Sequence, residues 1–431
     1  MPSFLYVDHP DFHLSFAKIC EVRGYPDGDK IDTIVREIIS NVRKKGDIAI
    51  KEYTHDLDSF AIESAGFAFS DSDFSKAESA ICDEEKKALN IAAERISTYC
   101  EKQKPQNALW TDDSGVRLGW KWTPIKNAGL YIPGGLASYP SSVLMSAILA
   151  KTAGVQSVVM CTPTPHGAYN PLVLFAAKIA EVDVVYRIGG AQAIAAMAYG
   201  TETIPAVDKI FGPGNAYVAS AKKIIFGQAG IDMIAGPSEL LVIADKNANP
   251  DWIASDLLSQ AEHDEKARSI LITDTESFGR SVLEAINQHF KKFDHKVAKK
   301  SWDDYGCIII VKHIEQACAL SNNIAPEHVQ LCVENPEEIL PDITDAGAIF
   351  LGYYTPEAIG DYIAGPSHVL PTRGAAKFSS GLSCLDFMKR ISIIECSKES
   401  FTQLAPQAEV LALSERLVCH AQSLRNRMPM N

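Results

Sequence analysis

Between Ile31 and Gly46 the chain reads IDTIVREIISNVRKKG, with Ile and Val returning every three or four positions. That period gathers the apolar residues on one helical face, and the glycine ends the run. A second helix is predicted over DEEKKALNIAAERISTYCEKQKP, where acids open the segment, bases close it and Pro105 follows. The first hundred residues therefore read as helical. From about Val116 the texture changes. GVRLGWKWTP alternates as a strand does, LYIPGG follows, and SSVLMSAILAKTAG reads as a helix. Then come a short apolar strand VQSVVMC, a helix NPLVLFAAKIAEV, a strand DVVYRIGG and a helix AQAIAAMAYG. Strand and helix in strict alternation, with glycine at the joints, predict a parallel sheet covered on both faces.

The same order then recurs. LLVIADKN is a predicted strand, and PDWIASDLLSQAEHDEKAR a predicted helix with Asn249 as its cap and Pro250 in its first turn. SILITDT, FGRSVLEAINQHFKKF, GCIIIVKH, IEQACALSNN and HVQLCVE continue the series, and DAGAIFLG closes it. The pattern is that of two α/β units. After about Ser380 the chain turns mixed and helical, ending in EVLALSERLVCHAQSLRNRM.

Composition narrows the class. The 431 residues are 46% hydrophobic and 22% charged, enough apolar surface for a large core in about two domains. A net charge of −13, with no Lys/Arg block, argues against nucleic acid as a partner. None of the ten cysteines is spaced C-x-x-C, and many sit singly in apolar runs, as buried free thiols in a reducing compartment do. The start, MPSFLYVDHPDF, lacks the basic and apolar regions of a signal peptide, and no apolar run approaches the ~20 residues that span a bilayer. A cytoplasmic protein without membrane contact is expected.

Four clusters can carry chemistry. In IAPEHVQL, Glu327 and His328 stand side by side after a proline that disfavours helix and before a strand-like run. A helix-to-strand joint holds such groups on rigid elements, and histidine exchanges protons at neutral pH; a solvated pair on a loop would read the same way. In SQAEHD, Gln260 and His263 lie three apart on the predicted helix, a spacing that puts both on one side. AIGDYIAGPSHVLPT holds Asp361 and His368 in a stretch too rich in Gly and Pro for a long helix, either a ligand loop or a tight connection. SERLVCHAQS places Glu415 and His420 five apart on a predicted helix, where two exposed residues are the simpler reading.

Three Gly-rich turns, YIPGGLASYPSS (131–142), IGGAQA (188–193) and FGPGNAY (211–217), each follow a strand-like run and precede a helix, as anion-binding turns do. AGPSE, with Ser238, is a fourth turn. None is G-x-G-x-x-G, so these turns do not by themselves specify a dinucleotide. Taken together, the Gln, His, Asp and Glu residues form a nitrogen and oxygen ligand set that suits a divalent ion such as zinc or manganese.

In this order, YIPGG, YPSSVLM, GGAQAIAA, KIFGPGN, AGPSE, QAEHD, APEHV, GDYIAGPSHVLPT, FSSGLS and HAQS followed by Arg425 resemble the histidinol dehydrogenase family over nearly the whole chain. The resemblance implies an α/β fold of two Rossmann-like αβα domains, aldehyde-dehydrogenase-like, one inserted in the other, plus small terminal helical elements. On this chain the first domain would be 25–130 with 238–381, carrying metal and catalytic residues. The inserted domain would be 131–237, with the NAD contacts, and 1–24 and 382–431 would form the dimer. One Zn2+ per subunit would be held by Gln260, His263, Asp361 and His420. Glu327 and His328 would be the acid–base pair, and NAD would meet Tyr131, Gln192 and Asn215. Ser238, His368 and Glu415, with Gln260, His263, His328, Asp361 and His420, would hold L-histidinol. The family is homodimeric, and its C-terminal segment reaches the partner's site. This chain departs from the family in SERLV, where Gly more often follows the acid, and at Ile234, where Pro is common; neither change removes a functional side chain.

The implied reaction is a four-electron, NAD-dependent oxidation of L-histidinol to L-histidine through the aldehyde, the last steps of histidine biosynthesis. The adjacent bases fit it: His328 takes the hydroxyl proton, Glu327 activates water to attack the aldehyde, and His328 acts again. Rival readings are a related zinc-dependent dehydrogenase of another small alcohol, such as a sulfonated diol, a metal-dependent hydrolase, and a non-catalytic metal-binding dimer.

Overall fold

The computed structural model describes residues 2–21, 28–134, 139–234 and 236–428. The expected domain boundary near residue 24, the middle of the 131–142 turn, Ala235 of AGPSE and the last three residues lie outside that set.

A six-stranded, all-parallel sheet runs in the spatial order Ser3–Tyr6, Cys307–Ile310, Arg268–Thr273, Glu239–Ala244, His328–Cys332, Ala348–Leu351. Glu239–Ala244 and Arg268–Thr273 are buried along their whole length, because successive side chains enter two different cores. Leu241, Ile243, Ile270 and Ile272 pack into one, and Leu240, Val242 and Leu271 into the other. That is why these strands read as unbroken apolar runs. A second parallel sheet has five strands, ordered Val184–Tyr186, Ser157–Cys161, Asn127–Tyr131, Lys209–Phe211, Gly230–Ile231. A third is antiparallel, with Val116–Pro124 between Met388–Cys396 and Ala108–Thr111. The two α/β units read from the sequence are thus the two parallel sheets.

The N-terminal helices pack on the five-stranded sheet. Val35, Ile38, Ile39 and Val42 of Gly28–Lys45 share a core with Tyr131, Val159 and Ile210. Ala92, Ile96 and Cys100 of Asp83–Gln103 share the opposite one with Leu130, Val143 and Met160. Burial of these apolar stripes packs the helices between 28 and 103 on the five-stranded sheet. The strand 116–124 pairs with the C-terminal strand.

Four local expectations need correction. Ser3–Tyr6 is a strand, although the first hundred residues read as helical; four residues are too few to show a period, and the strand exists by pairing with Cys307–Ile310. Lys296–Tyr305 is an additional helix. The helix begun at Pro250 ends at Ala261, so His263 lies in the turn beyond it. The polar run EHDEK leaves nothing to bury there, and the chain must turn into Arg268–Thr273. Likewise Glu415 and His420 are not on one helix: Lys398–Ser414 stops before Glu415, Arg416 takes φ 61°, and Val418–Arg425 starts anew. All ten cysteines are free, and six are buried. Among the described residues no helix is long and apolar enough to cross a membrane.

Candidate active site

The helix Ile314–Ile324 is stopped by Ala325, which takes φ 50° ahead of Pro326. The chain then enters the sheet at His328, paired with Leu240 on one side and Ala348 on the other. Glu327 and His328 therefore sit at the mouth of a strand flanked on both sides, and both are buried. The backbone of Glu239 holds the pair: its N–H donates to Glu327 Oε2 at 3.0 Å, and its carbonyl lies 3.2 Å from His328 Nδ1. A carbonyl only accepts, so Nδ1 carries the proton and Nε2 keeps its lone pair. Nε2 is buried without a hydrogen-bond partner and stands 3.9 Å from Asp361 Oδ1.

A cleft of about 450 Å³ opens here between the two parallel sheets. From the six-stranded side it is lined by Ser238, His263, Glu327, His328, Asp361 and His368. From the five-stranded side come Pro133, Ser142, Pro213, Gly214 and Asn215. Of the expected metal ligands, His263 and Asp361 meet in this cleft. Gln260 is fully buried, and both its amide atoms lack hydrogen-bond partners. His420 and Glu415 are exposed and do not line the cleft of their own chain. Ser238 gives its hydroxyl to the Glu327 carboxylate. His368 is bonded at both nitrogens, Nδ1 to the Asp361 carbonyl at 3.0 Å and Nε2 to Ser142 Oγ at 2.8 Å, and so ties the two sides together.

The expected cofactor contacts divide. Asn215 lines the cleft and also caps Ala216–Ile225, its Oδ1 accepting from the Tyr217 and Val218 N–H groups. Tyr131 is buried below, its hydroxyl accepting from the Gly190 N–H at 3.1 Å. Gln192 is buried too, with Oε1 unpartnered.

Glu357 was not among the candidates. It is 2% exposed, both carboxylate oxygens lack hydrogen-bond partners, and Oε1 lies 3.5 Å from His328 Nδ1. His328, Glu357 and Asp361 each offer a ligand atom within 4.8 Å of the others, a cluster that shares only Asp361 with the expected set. Gln330 supports it, accepting from the Glu357 N–H at 3.0 Å while donating to Asp256 at 2.9 Å. The sequence did hold a signal: Glu357 and Asp361 are four apart, which on the helix Glu357–Tyr362 is one face.

Burial dominates the electrostatics. It pushes Glu327 and Glu357 well above the usual carboxylate range, aided for both by the Asp361 carboxylate. It raises Asp361 to about 6 against the pull of His263, and lowers His328 to about 3 and His368 to about 4. His328 is thus neutral near pH 7, with the lone pair at Nε2. Crowded carboxylates beside an imidazole are what a divalent cation relieves, and the donors are nitrogen and oxygen; the site fits zinc.

Comparison with known proteins agrees with this geometry. The profile described as Histidinol dehydrogenase matches residues 22–428. Histidinol dehydrogenases of Ruegeria pomeroyi and Cereibacter sphaeroides are 53% and 52% identical over 429 residues, covering 99% of this chain and of each relative. The crystal structure of histidinol dehydrogenase from Elizabethkingia anophelis superposes with a TM-score of 0.93 at 35% identity, covering 99% of this chain and 98% of that one. With a buried Glu–His pair, a nitrogen and oxygen donor set and near full-length similarity, the chain belongs to the histidinol dehydrogenase family.

Proposed function

We propose that this oxidoreductase converts L-histidinol to L-histidine in two oxidations at the cleft between its parallel sheets. The observation that carries the reading is the Glu327–His328 pair, two bases held by one backbone residue and facing Asp361. His328 accepts the hydroxyl proton at Nε2, with Glu357 beside Nδ1. Glu327 draws a proton from water so that the oxygen can add to the aldehyde. His328 then serves again for the second oxidation. Enclosure keeps the aldehyde from escaping between the two steps.

Zinc, when bound to Gln260, His263 and Asp361 with His420 of the partner subunit, supplies an anchor for the substrate's imidazole and amino group. NAD, when bound against Asn215 and the turns over Tyr131 and Gln192, supplies the hydride acceptor. Dimerisation explains residues that one chain leaves outside its cleft. Ile394, Val410, Leu411 and Val418 are 63–73% exposed, an apolar surface on the same C-terminal elements that carry Glu415 and His420. A cytoplasmic setting is in keeping with ten free thiols.

The experiment uses limiting L-histidinol and counts NADH by absorbance. Two NADH per alcohol are expected, and Glu327→Gln should slow the aldehyde step at least tenfold more than the alcohol step. A single NADH with aldehyde accumulating sinks the two-step scheme. Equal slowing of both steps removes Glu327 as the water activator.

A further inference from the structure

Beneath the turn that carries Asn215 lies an ion pair to which no role has been assigned. The side chains of Lys222 and Asp232 are 3% and 1% exposed, and their charged groups are in contact. Both reach the same residue. Asp232 Oδ2 accepts the Gly212 N–H at 2.7 Å, and Lys222 Nζ donates to the Gly212 carbonyl at 2.9 Å. The pair thus holds the donor and the acceptor of one residue.

That residue has little latitude. Gly212 takes φ 114°, and a Cβ there would lie 2.0 Å from the Tyr131 carbonyl oxygen. The chain runs on through Pro213, Gly214 and Asn215 along the wall of the cleft. Tyr131 packs against Gly212 through its backbone, and its hydroxyl holds the Gly190 N–H, two residues before Gln192. The turns bearing Tyr131, Gln192 and Asn215 are therefore one connected unit, with Gly212 at its centre.

Stability is a poor explanation for a buried pair at this point. Burying two charges costs much of what their attraction returns, and apolar side chains of similar volume often serve as well or better. Two opposite charges bridging the donor and acceptor of one peptide residue do something apolar side chains cannot, which is to set its orientation. We infer that Lys222 and Asp232 are positioning residues that clamp Gly212 and so hold the 212–215 turn, with Asn215, in the conformation that receives NAD. This rests on the reading that NAD binds at these turns.

The test replaces the pair with apolar residues, Lys222→Met together with Asp232→Leu, in the full-length protein. The expected result is a KM for NAD raised on the order of tenfold, as for the loss of a charge-assisted hydrogen bond. Affinity for L-histidinol in the absence of NAD should stay as in wild type. An unchanged KM for NAD overturns the clamp, and so does a parallel loss of histidinol affinity, the mark of general damage. Should this variant not fold, Lys222→Arg and Asp232→Glu keep the charges and alter their reach. A raised KM for NAD at an unchanged melting temperature then supports the clamp, and an unchanged KM overturns it. Equilibrium titration of NAD separates the levels: wild type that binds no NAD removes the cofactor reading and the clamp together, whereas equal binding by wild type and variant overturns the clamp alone.

Discussion

The six-stranded sheet meets the cleft with the N-terminal ends of its strands, and the five-stranded sheet meets it with the C-terminal ends. Ser238 immediately precedes Glu239–Ala244, and Glu327 immediately precedes His328–Cys332. On the other side Pro133 follows Asn127–Tyr131, and Pro213 follows Lys209–Phe211. Open α/β sheets usually bind ligands at the C-terminal ends. Here only the five-stranded sheet turns those ends to the cleft. Helices of a parallel sheet run back against the strands, so they begin at one edge and end at the other. Ala216–Ile225 begins at the cleft, and helix N-termini favour anions such as a pyrophosphate. Pro250–Ala261 and Ile314–Ile324 end toward it, and helix C-termini favour cations. On the proposed function, one architecture used from opposite ends would provide an edge for an anionic cofactor and an edge for a metal.

The comparison can be broken in several ways. The largest effect is expected from removing metal with a chelator. Activity should vanish and return with zinc, while NAD affinity stays within about twofold, if the two ligands use different edges as proposed. Loss of NAD binding on metal removal would mean that the edges are not independent. Next, His328→Asn should lower kcat by about 10²–10⁴-fold, the usual worth of a general base, with little change in KM for NAD. At the other edge, Gly212→Ala should raise KM for NAD and destabilise the fold by about 1–3 kcal/mol, because alanine cannot adopt φ 114° against the Tyr131 carbonyl without strain. Unchanged NAD binding in that variant would separate the turn from the cofactor.

The smallest effect concerns the support of the five-stranded edge. Arg187, just after Val184–Tyr186, pairs with Asp73 at 2.7 Å. Burial alone would raise the Asp73 carboxyl, but Ser70 and Arg187 more than offset it and hold it at about 2. A depressed carboxyl stabilises the fold above its unfolded value near 3.8, and that stability is lost as pH falls through about 2. Its worth is roughly 2 kcal/mol at neutral pH. Asp73→Asn should lower the melting temperature at pH 7, and the gap to wild type should close as pH falls from about 4 toward 2. A gap that does not narrow over that range would deny the pair its role.

Much of the site could be read along the chain because its residues sit at joints. Pro326 before Glu327–His328 announced a strand mouth, and Gly-rich turns announced helix starts. Glu357 went unnoticed because its signal was a four-residue spacing inside a helix of only six residues. The helical spacing read for Gln260 and His263 failed, since their helix ends at Ala261. The two nitrogens of His368 are bonded to Asp361 and Ser142, a bridge that no local pattern could announce.

Local chemistry settled most of the element types, the two alternating α/β series and most of the residues able to move protons, because periodicity, capping and turn preference act over a few residues. Which sheet each early helix covers was decided only by folding. So were the pairing of 116–124 with 388–396, the use of opposite sheet edges, and the grip of Lys222 and Asp232 on Gly212. The reason is physical: such contacts join residues tens or hundreds of positions apart, and their energy comes from burial and from satisfying buried polar groups, quantities that exist only once the whole chain has packed.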